Sequence, residues 1–279
     1  MSSKGKMTKL RRKRTLETAR NIVPILGIGI DSGLRREVLN RAWSLISTEC
    51  EARPSLIVTP NPEIVSRAQS DHELAYILNG ADLAVPDGIG IVAAAWVLHP
   101  NSKMFRIPGR LFAEELVKLC SKHNKKVFLL GGAPGAAELA VKNIKNRTKN
   151  KELRIVGVEG PRLSIDGKPV DEVQEQIEKE VVRSINNFKP DLLLVGFGAP
   201  KQEKWLARHL GKINASAAMV VGGMIDYTAG ILPLPPRAFS ELGFEWLWRL
   251  ITQPARLGRI LTAVVVFPCQ VLFWKFNNR

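Results

Sequence analysis

Two short polar clusters each follow an apolar run of strand length, at the point where a buried strand would have to end. Thr59 and Asn61 come after residues 55–58, and Asp87 comes after residues 81–85. In a parallel α/β sheet, ligands bind outside the carboxyl ends of the strands, so a hydroxyl, an amide and a carboxylate can face one substrate there. The carboxylate of Asp87 is the natural choice for a general base, although the same tripeptide taken alone is more often an ordinary turn.

Glycine clusters follow three other apolar runs, at residues 131–135, 196–200 and 222–226. The first opens a helix, a geometry in which backbone N–H groups can receive the phosphates of a nucleotide diphosphate. After the second, Gln202 in the first turn of a helix could bond a sugar hydroxyl or a diphosphate oxygen. The alternative for the first cluster is a tight connection between strand and helix, and the alternative for Gln202 is a solvated first turn. For Asp226 in the third cluster the alternative is a capping role.

Several common chemistries lack their sequence patterns. The glycines at 27, 29 and 33 place the third glycine one residue late for a dinucleotide fingerprint. There is no Walker lysine motif, no serine-centred nucleophile elbow and no metal-ligand spacing among the histidines. No Asp-x-Asp pair is present either. We therefore expect arginine, lysine and helix N-termini to stabilise a leaving diphosphate, with no metal and no other cofactor.

Apolar strand-length runs alternate with stretches of helical periodicity, which predicts an α/β fold with a Rossmann-like, mostly parallel sheet flanked by helices. The predicted strands are residues 22–30, 55–58, 81–85, 126–130, 153–158, 190–197 and 217–222. The predicted helices are residues 35–46, 62–79, 111–123, 136–149, 170–187 and 201–210. A proline-rich stretch then predicts a boundary near residue 231, which gives a basic arm at 1–20, a core at 21–230 and an appendage at 231–279.

The net charge of +15 is concentrated at the amino terminus, where residues 1–20 hold eight Lys or Arg and one acid. This arm has no apolar stretch of signal-peptide length, so we expect it to stay inside the cell. It is either a solvated tail or a segment attracted to anionic lipid, at ~1 kcal/mol per basic residue. The rest of the chain lacks nucleic-acid-binding signatures, so no nucleic-acid partner is expected.

The carboxyl-terminal segment combines arginine, tryptophan and a long apolar stretch. Residues 260–274 carry no charge, but Pro268 is expected to break the stretch, which is also shorter than the ~20 residues that span a bilayer. Arg249, Arg256 and Arg259 beside tryptophans are typical of a segment that lies in a membrane interface. The alternative is a helix docked on its own domain or on a partner subunit.

A set of motifs occurs in order along the chain: Thr59-x-Asn61, Pro86-Asp87-Gly88-Ile89-Gly90, Gly109-Arg110, Leu130-Gly131-Gly132-x-Pro134-Gly135, Gly196-x-Gly198-x-Pro200-Lys201-Gln202-Glu203, Gly222-Gly223, Glu245-Trp246-x-x-Arg249 and Pro254-x-Arg256. Each is weak alone, but together they resemble the WecG/TagA/CpsF family of bacterial glycosyltransferases over roughly residues 22–260.

The resemblance implies an inverting transferase that uses a UDP-sugar as co-substrate. It would move a hexosyl or N-acetylhexosaminyl group, with N-acetylmannosamine and its uronic acid among the candidates, to a polyprenyl-diphosphate-linked sugar in cell-surface polysaccharide or teichoic-acid-type synthesis. The implied partners are the donor, the lipid-diphosphate acceptor and an anionic membrane surface, with a homo-oligomer left open. The implied location is the inner face of the bacterial plasma membrane, as a cytoplasmic peripheral protein.

The family pattern assigns roles to individual residues. Asp87 would be the catalytic base and Gln202 a polar group at the reacting centre, with Thr59 and Asn61 in the acceptor pocket. Further substrate-binding candidates are Gly88, Arg110, Gly131, Gly132, Gly135, Lys201, Glu203, Gly223, Arg249 and Arg256. Where the family usually has Arg-Ala-Pro, this chain has Leu234-Pro235-Pro236, and Arg237 is the candidate replacement for the missing arginine.

These roles predict a single in-line displacement, in which Asp87 takes the proton of the attacking hydroxyl and UDP departs on the opposite side. The alternative from a different class is a non-catalytic nucleotide-sugar or polyanion-binding module of a membrane assembly. That alternative gives Asp87 no special role.

Overall fold

The computed structural model describes residues 20–48, 53–236, 239 and 245–277. The strands in these ranges are β1 (Ile22–Ile25), β2 (Ile28–Asp31), β3 (Ser55–Val58), β4 (Leu83–Ala84), β5 (Val127–Gly131), β6 (Ile155–Val158), β7 (Leu192–Gly196) and β8 (Ala217–Val220). Six of them form one sheet in the order β4, β3, β8, β7, β5, β6, and every neighbouring pair is parallel. The predicted α/β fold with a Rossmann-like parallel sheet is confirmed.

The helices are α1 (Arg35–Ser47), α2 (Pro62–Ala68), α3 (His72–Asn79), α4 (Ile89–Leu98), α5 (Gly109–Lys122), α6 (Ala136–Thr148), α7 (Glu172–Phe188), α8 (Lys201–His209), α9 (Met224–Ala229) and α10 (Glu245–Thr252). Helices α1, α5, α6 and α9 contribute to the core on one face of the sheet. Helices α2, α3, α4, α7 and α8 contribute to the core on the other face. Because both faces are covered, the central strands are apolar along their whole length.

Two predicted elements differ from the observed ones. Residues 22–30 do not form one strand of the main sheet, because Leu26 and Gly27 adopt positive φ angles of 48° and 78° and turn the chain into a separate antiparallel hairpin of β1 and β2. The predicted helix 62–79 is two helices, since the side chain of Asp71 accepts a hydrogen bond from the N–H of Leu74 and starts a new one. Helix α4 was not predicted.

A buried carboxylate joins the hairpin to the body. Asp31 is fully buried, and its oxygens accept hydrogen bonds from Arg20 and Arg41 and from the N–H of Ala84. Arg20 was predicted as the last residue of the basic arm, and the structure places it in this cluster. The other residues of that arm lie outside the described ranges.

A single C-terminal helix runs over Pro254–Asn277 and spans 24 residues. The prediction that Pro268 breaks the stretch and leaves it too short to span is wrong, because a π-helical turn at Thr262–Val266 leads directly into the α-helical Phe267–Asn277. By length and composition alone this helix could cross a membrane, although core helices of soluble proteins also pass this test. One side of it packs on the body through Ile260, Phe267 and Val271, and the other side is exposed.

Candidate active site

The sheet forms a crevice at the carboxyl end of β3. The chain leaves β3 toward α2 on one face of the sheet, and it leaves the neighbouring β8 toward α9 on the opposite face. Where two adjacent strands send their connections to opposite faces, the loops separate and a ligand can bind between them. Thr59 therefore lies on one side of this crevice, and Gly222 and Gly223 lie on the other.

Thr59 and Asp87 come together beside Gly109, the first residue of α5. A Cβ placed on Gly109 would lie 3.0 Å from Cγ2 of Thr59 and 3.3 Å from Oδ2 of Asp87. The N–H of Asp87 donates to the carbonyl of Pro60 at 3.0 Å, which joins the loop after β4 to the loop after β3. The side chains of Thr59 and Asp87 thus both lie against Gly109 at one edge of the sheet, and their roles in catalysis and acceptor binding stay predictions.

Asn61 and Gly88 shape the same two loops. Asn61 caps α2, and its Oδ1 accepts a hydrogen bond of 2.9 Å from the N–H of Ile64, a contact that does not use the amide nitrogen. Gly88 immediately precedes α4 with φ of 89°, and its Cα faces Pro62 so closely that a Cβ would lie 3.2 Å from Cδ of that proline. Both residues are half-buried beside Asp87.

Arg110 supplies a positive charge in the first turn of α5, directly after Gly109. Its guanidinium binds Oε1 of Glu114 at 2.8 Å and lies 5.9 Å from the ring centre of Tyr227 in α9. Gly223 comes directly before α9, and a Cβ there would lie 3.7 Å from the same tyrosine ring. Arg110 and Gly223, both predicted to bind substrate, are therefore linked through Tyr227 across the crevice.

The glycine turn after β5 is tightly packed. Gly131 and Gly132 have φ angles of 98° and 89°, and a Cβ on Gly131 would lie 2.9 Å from the carbonyl oxygen of Gly196. The N–H of Ala133 donates to Oδ1 of Asp226 at 2.7 Å, so a protein carboxylate already occupies part of the turn. Gly135, with φ of 74°, opens α6 and has no neighbour within 4 Å of its Cβ position. Phosphate binding in this turn stays a prediction.

Gln202 is buried and joins two strand ends. Its Oε1 accepts hydrogen bonds of 3.1 Å from the N–H groups of Gly198 and Gly222, which follow β7 and β8. Its Nε2 donates to Oε1 of the fully buried Glu203 at 3.0 Å. The amide oxygen is thus used by the backbone, and the predicted role of Gln202 at the reacting centre stays a prediction. Lys201, the first residue of α8, is half-buried.

The C-terminal helix begins beside the crevice. Nε of Arg259 binds Oε1 of Glu63 at 2.6 Å, and Glu63 lies in α2 two residues after Asn61. Arg256 is half-buried in the first turn of the same helix. Arg249 belongs to α10, but its side chain is outside the described set, and Arg237 lies outside the described residues altogether. Substrate binding by Arg237, Arg249 and Arg256 stays a prediction.

No group of three or more His, Cys, Asp or Glu side chains within the described ranges is placed to share a metal ion. The arginines placed on this edge include Arg110 at the start of α5 and Arg256 and Arg259 at the start of the C-terminal helix.

The motifs on this edge belong to a known family. The model of the glycosyl transferase WecG/TagA/CpsF family matches residues 23–279. The chain belongs to this family. The resemblance seen in the sequence is thereby confirmed, and membership makes the chain a glycosyltransferase.

Similar proteins occur in several strains of Staphylococcus aureus, among them NCTC 8325 / PS 47, COL and MRSA252. Each is 30% identical over 238 residues, which cover 85% of this chain and 87% of the relative. Each carries the name N-acetylglucosaminyldiphosphoundecaprenol N-acetyl-beta-D-mannosaminyltransferase.

Three residues of this candidate site are not predicted from the sequence. Gly109 was noted in a motif without a role, yet it is the point where Thr59 and Asp87 meet. Tyr227 contacts Arg110, and Glu63 holds Arg259. Their contacts join residues more than 20 positions apart in the chain, so no local sequence pattern predicts them.

We predict that Gly109→Ala lowers kcat by about 100-fold, because a new methyl group would displace Thr59 or Asp87 and small misplacements at a reacting centre cost this much. Steady-state transfer rates measure the effect. Gly211→Ala is the matched control, since a Cβ there meets nothing within 4 Å and neither glycine has a positive φ. A Gly109→Ala rate equal to the control would show that this contact is not part of the reacting centre.

Burial makes Glu203 an unusual acid. The side chain is fully buried, and Oε2 has no hydrogen-bond partner among the described residues. The pKa of Glu203 is raised from 4.5 to about 7, chiefly by desolvation and to a smaller extent by the nearby Glu63. Hydrogen bonds from Gln202 and from the backbone of Glu203, together with the charge of Arg259, oppose the rise. The folded protein therefore holds a proton on Glu203 over a pH range in which the unfolded chain has released it.

We predict that Glu203→Gln changes the pH dependence of stability. The wild type loses stability as the pH rises from 4.5 to about 7, because within that range the folded state binds a proton that the unfolded chain has already released. The variant lacks this loss, so the difference in unfolding free energy, variant minus wild type, should grow by on the order of 3 kcal/mol between about pH 5 and about pH 8.

Denaturant unfolding at both pH values measures this difference. Glu175→Gln, which changes an exposed glutamate of α7, is the matched control. A difference that stays constant between the two pH values would mean that Glu203 is already ionised in the folded protein.

Proposed function

We propose that this chain transfers an N-acetylmannosaminyl group, or a closely related hexosyl group, from a UDP-sugar to a sugar carried on a polyprenyl diphosphate, with inversion at the anomeric carbon. The names of the relatives support this acceptor and this sugar class. The single observation that carries the proposal for this chain is the convergence of Asp87 and Thr59 on Gly109 at the carboxyl edge of the sheet.

In the proposed reaction, the acceptor hydroxyl oxygen forms a bond to the anomeric carbon of the donor. Its proton passes to the carboxylate of Asp87. The bond from the anomeric carbon to the UDP oxygen breaks, and the electron pair leaves with the diphosphate. Because the nucleophile and the leaving group lie on opposite sides of the sugar, the configuration is inverted.

The donor and the acceptor would occupy different parts of the edge. The glycine turn after β5 lies three strand spacings from β3, or about 14 Å at ~4.8 Å per strand. The nucleotide would bind toward β5 and β7, and the acceptor sugar would bind toward β3 and β4, where Asp87 and Asn61 lie. The anomeric carbon would then be held between them, above β8.

Cationic side chains would bind the diphosphates of the two substrates in place of a metal. Arg110 directly follows Gly109 in the chain and is held in position by Glu114 and Tyr227, while Arg256 and Arg259 begin the C-terminal helix. Guanidinium groups bind phosphate oxygens with two parallel hydrogen bonds and need no change of protonation.

The enzyme would act as a peripheral protein on the cytoplasmic face of the plasma membrane, where its lipid-linked acceptor is located. The exposed apolar side of the C-terminal helix, which includes Phe273 and Phe276, supports contact with lipid.

We predict that Asp87→Asn lowers kcat by about 10² to 10⁴-fold, since a positioned general base contributes this much and an amide cannot take the proton. UDP release from UDP-N-acetylmannosamine that depends on an added short-chain lipid-diphosphate acceptor measures the rate. This acceptor dependence also distinguishes a transferase from a module that only binds nucleotide sugars.

Asp166→Asn is the control for that variant, because Asp166 is an exposed carboxylate on the loop before α7. Unchanged thermal denaturation of Asp87→Asn would exclude a folding defect. Turnover of Asp87→Asn at the wild-type rate would contradict the assignment of the base.

We predict that the initial transfer rate stays within about twofold in excess EDTA, since the proposal gives diphosphate stabilisation to arginine. Arg110→Ala should instead lower the rate, because it removes a cation that the proposal assigns to a substrate diphosphate. A rate abolished by EDTA and restored by Mg²⁺ or Mn²⁺ would contradict the metal-independent mechanism.

A further inference from the structure

An exposed apolar stripe lies on α4, the helix that follows the proposed base. Ile89 and Trp96 are 46% and 60% exposed, and Ala93 between them is also exposed. These positions are four and three residues apart, so they lie on one side of the helix. Every residue of α4 is uncharged, and the opposite side packs in the core through Ile91 and Ala95. The stripe is therefore not explained by packing within the described chain.

The C-terminal helix lies next to this stripe. A Cβ on Gly90 would lie 3.8 Å from the ring of Phe267, so the C-terminal helix packs against α4 at Gly90. Gly90 is one residue, or about 100° of helical rotation, from Ile89. The exposed stripe thus lies beside the contact between the two helices, and it does not face away from the C-terminal helix.

The outward side of the C-terminal helix is also apolar. Leu261, Val265, Leu272, Phe273 and Phe276 are each between 47% and 70% exposed. Together with Ile89, Ala93 and Trp96, they form what we call the two-helix face. Such a large exposed apolar surface is uncommon unless something covers it.

Charge favours a lipid surface over a second copy of the chain as the partner. The chain carries a net charge of +15, so two copies repel each other, whereas an anionic bilayer attracts each of them. Tryptophan and phenylalanine on a basic protein are also typical of a surface that enters the headgroup region.

We propose that the two-helix face is the part of the protein that enters an anionic bilayer, and that α4 is inserted together with the C-terminal helix. This inference rests on the proposed function, which requires a lipid-linked acceptor. Since α4 begins two residues after Asp87, insertion of its stripe places the base at the level of the headgroups. An acceptor diphosphate at the membrane surface can then reach the crevice without leaving the bilayer.

The test compares full-length variants in flotation with vesicles of phosphatidylglycerol and phosphatidylethanolamine. Trp96→Asp and Ala93→Asp should each weaken partitioning by about tenfold or more, because each puts a charge into the apolar contact. The matched control is Val173→Asp on α7, where the parent valine is 67% exposed and lies outside the two-helix face. The control should partition like the parent.

Activity on a water-soluble short-chain acceptor separates this inference from the proposed function. Trp96→Asp should keep the parental rate on that acceptor within about twofold and lose rate only on vesicle-borne long-chain acceptor. If neither the parent nor the variants transfer sugar to the short-chain acceptor, the proposed function fails. The flotation result still decides the inference about the bilayer.

Three results would overturn the inference. If Trp96→Asp binds vesicles as well as the parent and Phe273→Asp does not bind, the bilayer contact is limited to the C-terminal helix. Equal parental binding to anionic and to pure phosphatidylcholine vesicles would remove the role of charge. The third result is a parent that sediments as a dimer and a Trp96→Asp variant that sediments as a monomer but binds vesicles like the parent. That result would assign the two-helix face to contact with a second copy of the chain.

Discussion

All six strands of the main sheet run in the same direction, so the loops that follow them meet at one edge. Along that edge, in spatial order, come Asp87 after β4, Thr59 after β3, the pair Gly222–Gly223 after β8, Gly198 after β7 and Gly131 in β5. Residues separated by more than 100 positions in the chain become neighbours because parallel strands lie ~4.8 Å apart. The opposite directions taken after β3 and β8 then separate their loops and form the crevice.

Close approach within this edge depends on small residues. Gly109 leaves the space into which Thr59 and Asp87 point, and Gly196 lets the loops after β7 and β8 come together, since a Cβ there would lie 2.9 Å from the carbonyl oxygen of Gly222. Gln202 then fixes the same two loops through both of its hydrogen bonds to backbone N–H groups. The burial of Glu203 beside Gln202 opposes ionisation of its carboxyl, a cost that the single hydrogen bond at Oε1 only partly offsets.

The sequence predicts the parallel sheet and its reactive edge because strand ends and glycine turns are local patterns. Other features depend on contacts that no local pattern carries. Residues 22–30 alternate like one strand, and the turn at Leu26 lacks the Asn-Gly or Asp-Gly pair that usually marks a hairpin. The run of Lys201, Gln202 and Glu203 is typical of a solvated helix start, yet Gln202 and Glu203 are buried.

The C-terminal helix was predicted to be interrupted because proline cannot donate the hydrogen bond that a regular α-helix requires. In the structure, the π-helical turn before Pro268 alters that hydrogen-bond register, and the helix continues. The continuation has a functional consequence. A helix ending at Pro268 would reach only Gly90, whereas the complete helix carries Trp274 to the tip of the hairpin, where its ring would lie 3.9 Å from a Cβ on Gly27.

The C-terminal helix is thus held at both ends, by Arg259 on Glu63 near the crevice and by Trp274 on the hairpin. A helix fixed in this way keeps a constant orientation relative to Asp87. Exposed ion pairs contribute little by themselves, ~0–1 kcal/mol, so the apolar contacts of Phe267 and Val271 supply most of the attachment. The Arg259 side chain, which is 40% exposed, can therefore exchange Glu63 for a phosphate without detaching the helix. Apolar burial therefore sets the position of the helix, and the ion pair of Arg259 with Glu63 is not required to hold it there.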